Sequence, residues 1–444
     1  MTGVPGDPIV DPALTPPAAP NPPAAVKPPP RPPLLGVLGP GLITGASDDD
    51  PSGIATYSQA GAQFGYGLTW IMLFSWPLMC AIQEISARIG RVTGRGIAGN
   101  LKQHYPRSVL YALVGLLLVA NTINLGADLG AMAAAIELVV GGPHLLYVVL
   151  FAVVTVLLET FIRYARYVAV LKWLTLSLFA YVGVAFIVDV PWATVASSLV
   201  VPHLALDRNA LTVVVAILGT TISPYLFFWQ AEEEVEEVKE RAGARPLVRA
   251  PDQAPAEFGR IRWDTYLGMG ISNLIALFIV VTTAATLNAR GITDIQTSAQ
   301  AAEALRPIAG EFAFVVFALG IVGTGLLAVP VLASSAAYAV GEAAGIHVGL
   351  ARKLGRAKGF YATIAVATLI GALLNFTPLD PIKALFWTAV INGVVAVPIM
   401  AMMLLIAGRR DVMGDFVLPP ILKGVGWVAT AVMTLAAAGM FATM

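Results

Sequence analysis

The chain has 444 residues, 57% of them apolar and only 12% charged, and its mean hydropathy is +0.78. A water-soluble domain needs about a quarter of its residues charged to cover its surface, so a second, apolar solvent is implied and an ordinary soluble protein is excluded. Lys+Arg and Asp+Glu each total 27; that balance gives no argument for a nucleic-acid partner, and none is expected.

Residues 1–33 are dense in Pro and Ala and have no apolar stretch of the signal-peptide kind. They read as a disordered cytoplasmic tail. From there to residue 443 the chain reads as one transmembrane domain. A spanning helix needs about 20 mostly apolar residues, and eleven such runs follow: 36–63, 67–90, 108–139, 145–162, 167–189, 208–238, 263–288, 311–340, 359–376, 381–407 and 423–443. With the amino terminus inside, every Lys and Arg except Arg208, Arg290, Arg306 and Lys383 falls on the cytoplasmic side. That is the bias expected of a correct span count. It puts the carboxy terminus outside and makes 239–262 a cytoplasmic connector. The expected setting is a lipid bilayer, the plasma or inner membrane of a cell.

The first span carries Asp48-Asp49-Asp50-Pro51-Ser52-Gly53 in mid-run. Each carboxylate there costs about 2.5–3.5 kcal/mol on insertion scales. Pro51 opposes helix at Asp50, and Gly53 permits a break. Two half-helices joined by an extended segment are expected, facing a cavity, because non-helical backbone at that depth persists nowhere else. An anionic, oxygen-rich pocket of this kind suits a hard cation. Adjacent residues diverge by about 100° on a helix, so at most one or two of the three acids can address one ion.

Cys80 and Glu84 lie on the second span. The lone cysteine excludes an internal disulfide and a cysteine-built metal cluster. Glu84 is either a proton-coupling residue or a partner of Arg88 at i+4. On the third span Asn121, Asn124 and Asp128 share one helical face. A buried Asp at that depth is a proton relay or a cation partner, and the asparagines are either site residues or glue between helices.

The sixth span reads Thr220-Thr221-Ile222-Ser223-Pro224-Tyr225, again with proline after a small polar residue. It stands five spans after the first. Paired interruptions at matching positions point to a transporter site between inverted repeats, here about 36–189 and 208–407, with the eleventh helix as an addition. Acidic residues Glu232 to Glu237 read as a solvated vestibule. Asn392 on the tenth span offers an amide oxygen to an ion or to another helix. The four histidines lie at expected helix ends or loops, and no HExxH, CxxC or GxSxG arrangement occurs. An intramembrane enzyme is therefore not expected, nor is a cofactor.

At these residues the chain resembles the Nramp family of proton-coupled divalent-metal transporters. Asp50-Pro51-Ser52-Gly53 stands where the family has Asp-Pro-Gly-Asn, and Ser86-Ala87-Arg88-Ile89-Gly90-Arg91-Val92-Thr93-Gly94 matches its Ser-Ala-Arg-Leu-Gly-x-x-Thr-Gly run. Gly39 to Gly41 and Asp128 also match. The resemblance implies an all-α membrane fold of about eleven helices, a LeuT-like inverted 5+5 repeat with helices 1 and 6 broken. It implies a metal site drawn from Asp50, Asp49, Gly53, Thr220, Ser223 and Asn392, with Asp128 and Glu84 in proton coupling and the breaks at Pro51, Gly53 and Pro224.

Departures from the pattern bear on selectivity. The family's Asn is Gly53 here, its sixth-helix Met is Ser223, and its His is Tyr225. Loss of the thioether removes the soft ligand that favours late transition metals, so the expected cargo is Mn2+ or Mg2+, with Fe2+ a further candidate and H+ coupling weakened or absent. The alternative is an amino-acid or other organic-solute symporter of the same fold, whose carboxylate Asp48 to Asp50 would repel.

Overall fold

A computed structural model describes residues 44–45, 47–162, 174–203, 205–350, 352, 354–377 and 380–443. The tail expected at 1–33 and the opening of the first span lie outside these residues. Among the described residues helix is the only regular structure, and there is no strand.

In chain order the helices are α1 (Pro51–Phe64), α2 (Trp70–Thr93), α3 (Ile97–His104), α4 (Arg107–Val140), α5 (His144–Phe161), α6 (Phe179–Ile187) and α7 (Trp192–Val200). Then come α8 (Arg208–Thr221), α9 (Pro224–Glu240), α10 (Ala254–Thr286), α11 (Ala313–Ala344), α12 (Lys358–Leu374), α13 (Pro381–Ala407) and α14 (Pro420–Ala442). Among the described residues eight segments are long and apolar enough to span a bilayer, counting α8 and α9 as one. The other three expected spans are partial or short. The first is described from Thr44, the fifth appears as 176–187, bent 116° into α7, and the ninth is the 17-residue α12.

Burial separates interior helices from lipid-facing ones. The apolar core of 208–240 is wholly enclosed. On α5, by contrast, Leu146, Val149, Leu150, Val153, Leu157 and Phe161 are about half exposed or more. A contiguous apolar face of that size does not persist in water. It is what a chain shows when its solvent is hydrocarbon, and the protein is an integral membrane protein.

Between helices, small residues permit close approach. A methyl group placed on Gly219 of α8 would collide with the Ala389 carbonyl of α13, and one on Gly393 would lie 2.6 Å from the Val215 carbonyl. α14 packs on the same pair, with Met440 against Leu211 and Val390.

The acidic stretch on α9 differs from the expected vestibule. Glu232, Glu234 and Glu236 are buried. Glu234 pairs with Arg260 of α10 at 2.5 Å, Glu236 with Lys239 at 3.0 Å, and Glu237 with Arg241 and Arg260. α10 starts at Ala254, nine residues before the expected span, and that extra length carries Arg260 to the acids. Buried Arg91 of α2 joins through Glu257 at 3.2 Å. For Glu234, Glu236 and Glu237 cationic side chains thus take the place of water, while Glu232 has no such partner among the described residues.

Candidate metal site at the two helix breaks

The first span is helical at 44–45 and 47–48, then opens at Asp49 and Asp50. Asp50 is extended (φ −67°, ψ 170°), and Pro51 begins α1. Proline fits there because its missing N–H would be unsatisfied in a first turn anyway. Gly53, expected at the break, lies inside α1 instead. Its value is its size: a Cβ on it would sit 3.1 Å from the Thr220 Oγ1 and 3.4 Å from the Asp48 carbonyl.

Asp50 caps the new helix. Its Oδ1 accepts the Gly53 N–H at 2.7 Å and the Ser52 hydroxyl at 2.7 Å, and its Oδ2 accepts the Asn124 amide of α4 at 3.2 Å. The other two acids turn to α10. The Ser272 hydroxyl lies 2.7 Å from Asp48 Oδ2 and 3.1 Å from Asp49 Oδ1, so its single proton serves one of them at a time. The three carboxylates thus face two different helices, Asp48 and Asp49 towards α10 and Asp50 towards α4, although the break leaves Asp49 and Asp50 outside the helical spacing expected of them.

The sixth span opens at Ile222 (φ −124°, ψ 61°) and Ser223 (φ −81°, ψ 133°), with Pro224 starting α9. The Ser223 hydroxyl lies 2.8 Å from the carbonyls of both Gly219 and Thr220, and its single proton serves one of them at a time. The two breaks meet. The Tyr225 hydroxyl donates to the Ser47 carbonyl at 3.1 Å, and the Thr44 hydroxyl donates to Gln230 Oε1 at 2.5 Å.

Around this meeting point lie buried polar atoms with no hydrogen-bond partner among the described residues: both amide atoms of Asn392, both carboxylate oxygens of Asp128, Asn124 Oδ1 and Asp48 Oδ1. Asn392 precedes Gly393, which packs on Gly219, next to Thr220. Unsatisfied polar atoms at such depth are costly, and in a native protein they call for an occupant or a function. Among the described residues no three His, Cys, Asp or Glu groups converge on one point. A cation held here would meet few carboxylates, with neutral carbonyl, hydroxyl and amide oxygens beside them. Hard, partly hydrated ions favour that donor set.

Other candidates fall elsewhere. Glu84 is held by Arg88 at 2.7 Å and by the Tyr266 hydroxyl at 3.0 Å, the ion-pair option. Asn121 donates to the Leu332 carbonyl and to Ser335 on α11, acting as glue. Ser272, unread in the sequence, is the partner that α10 supplies. The polar Ser272-Asn273 pair amid an apolar run was its only signal.

Residues 41–443 match the family described as Natural resistance-associated macrophage protein-like. The chain belongs to the Nramp family. Within reach of it, a Klebsiella pneumoniae protein named divalent metal cation transporter MntH is 26% identical over 405 residues, 90% of this chain and 92% of that protein. Among solved structures, a manganese transporter of Eremococcus coleocola superposes with TM-score 0.71 at 18% identity, covering 90% of this chain and 85% of that one. MHP1, a nucleobase-cation-symport-1 family transporter, superposes with TM-score 0.51 at 14% identity over 92% and 93%. These likenesses bear out the expected all-α fold with helices 1 and 6 broken.

Proposed function

We propose that this Nramp-family chain carries divalent metal cations, Mn2+ or Mg2+, across the bilayer by alternating access, the ion being held between the two helix breaks. The observation that carries this reading is the meeting of both breaks beside buried oxygen donors, with Asn392 left unsatisfied. Asp50, backed by Asn124, supplies charge; Asp49, the Thr220 carbonyl, Ser223 and Asn392 supply further oxygens, and Gly53 leaves room for the ion and its waters. The names of the relatives support a divalent cation as cargo. With Ser223 where the family carries Met, the donors are all oxygen, which favours hard ions over Cd2+ or Fe2+.

Asp128 is the candidate proton carrier. It sits on α4 one turn from Asn124, fully buried, with neither oxygen bonded. Orientation follows from the cationic loops: amino terminus in the cytoplasm, carboxy terminus outside, in a plasma or inner membrane.

The test is flux into proteoliposomes of purified full-length protein, with Mn2+, Mg2+, Ca2+ and Cd2+ in parallel and Asp50→Ala as control. Uptake of Mn2+ or Mg2+ that is lost in the variant is expected. Efficient Cd2+ uptake with none of Mg2+ or Mn2+ would overturn the selectivity, and normal uptake by Asp50→Ala would overturn the site.

A further inference from the structure

On the cytoplasmic side, away from the two breaks, the carboxyl groups of Glu232 on α9 and Glu342 on α11 lie side by side, so that a Cβ on Gly96 would come within 2.6 Å of an oxygen of each. Glu342 is otherwise engaged by backbone donors at the start of α3: its Oε1 accepts the Gly96 N–H at 2.8 Å and its Oε2 the Gly99 N–H at 2.7 Å. That is the environment of an ionised carboxylate at a helix amino terminus. Glu232 is 1% exposed, and neither of its oxygens has a hydrogen-bond partner among the described residues. Two carboxyl groups can bond each other only by sharing a proton. Glu342 has its charge stabilised by two amide donors and keeps lone pairs to accept a third bond, so Glu232 is the member placed to carry a shared proton.

Glycines make the arrangement possible. A Cβ on Gly96 would strike Glu232 Oε1 and lie 2.6 Å from Glu342 Oε2, and one on Gly99 would lie 2.6 Å from Glu342 Oε1. Other charged and titratable groups facing the pair are few. α3 brings Lys102, whose Nζ donates to the Glu342 carbonyl at 3.3 Å. α9 brings Glu233, Glu236 and Lys239, the last two paired with each other at 3.0 Å. α11 brings Tyr338, whose hydroxyl accepts the Leu350 N–H. None of these donates to Glu232.

We propose that the Glu232–Glu342 pair is a proton-binding site that fastens the cytoplasmic end of the sixth span to α11 and α3. With the proton bound, the pair is a hydrogen bond. With it gone, two carboxylates face each other without a cation between them, and α9 is driven from α11. Low pH therefore closes the cytoplasmic end and higher pH releases it. Because α9 continues directly from the break at Ser223, this site deepens the alternating-access reading above and rests on it, adding a proton acceptor separate from Asp128.

The test reads distance rather than flux, so its failure is distinguishable from failure of the transport reading. Spin labels at Gln103→Cys on α3 and Glu240→Cys on α9, in a Cys80→Ser background of the full chain, report the separation by double electron–electron resonance. The parent is expected to pass from a short to a longer distance as the pH of the sample is raised. Glu232→Gln, whose amide donates to Glu342 at every pH, is expected to hold the short distance throughout. Gly96→Ala, whose methyl displaces Glu232, is expected to show the longer distance throughout. A Glu232→Gln variant that titrates like the parent overturns the proposal, as does a parent that stays at one distance over the whole range.

Discussion

The hydroxyl of Tyr225 donates to the carbonyl of Ser47 across 3.1 Å, and this bond joins the two interrupted spans at the point where each has lost helical pairing. Removing it should loosen their association without touching a charged group. Tyr225→Phe is expected to cost about 1 kcal/mol of the joined state, roughly a five-fold shift in its population. Hydrogen exchange of the 44–54 backbone would read this as faster exchange. Unchanged exchange would mean that packing alone joins the breaks.

Asp50 has two separable roles, a helix cap and a negative charge. Asp50→Asn keeps a good cap, since Asn ranks with Asp at that position, while Asp50→Ala loses about 1 kcal/mol of capping. Both variants should lose metal uptake, but only the Ala variant should also melt at lower temperature. Thermal melts beside flux measurements separate the roles. Equal melting of the two variants would dismiss the cap.

Ser223→Met introduces a thioether at the second break. Its cost is the one hydrogen bond that the hydroxyl now donates, to the Gly219 or the Thr220 carbonyl. We expect the ratio of Cd2+ to Mg2+ uptake to rise at least about ten-fold, since soft sulfur selects soft ions. Competition assays in liposomes check this, and an unaltered ratio would show that residue 223 does not touch the ion.

Asn392→Ala tests whether the unsatisfied amide serves the cargo. If it does, the Mn2+ concentration for half-maximal uptake should rise about ten-fold, with stability changed by less than about 1 kcal/mol, because no hydrogen bond is lost. A large loss of stability with unaltered uptake would instead assign Asn392 to packing.

Much of this architecture could be read from composition and local chemistry. Apolar runs and prolines after Asp50 and Ser223 are local signals, and they carry the membrane fold and both breaks. Partners are a different matter. Nothing near Asp48 announces Ser272, 224 residues away, and nothing near Asp50 decides between Asn121 and Asn124, which share a face and yet bond in different directions. The acids of α9 read as solvated because Arg260 stands 26 residues further on, on a helix that begins earlier than hydropathy suggests. Gly53 illustrates the same limit. Its effect comes from the Thr220 side chain it admits, which belongs to another span.

The backbone contact of Gly219 with Ala389 and Gly393 leaves no room for sliding between α8 and α13. Those two helices must travel as one stiff lever. Asn392 and Thr220 lie on it together, so in the proposed transport cycle these two donors would keep a constant spacing while the acids of the first span approach or withdraw.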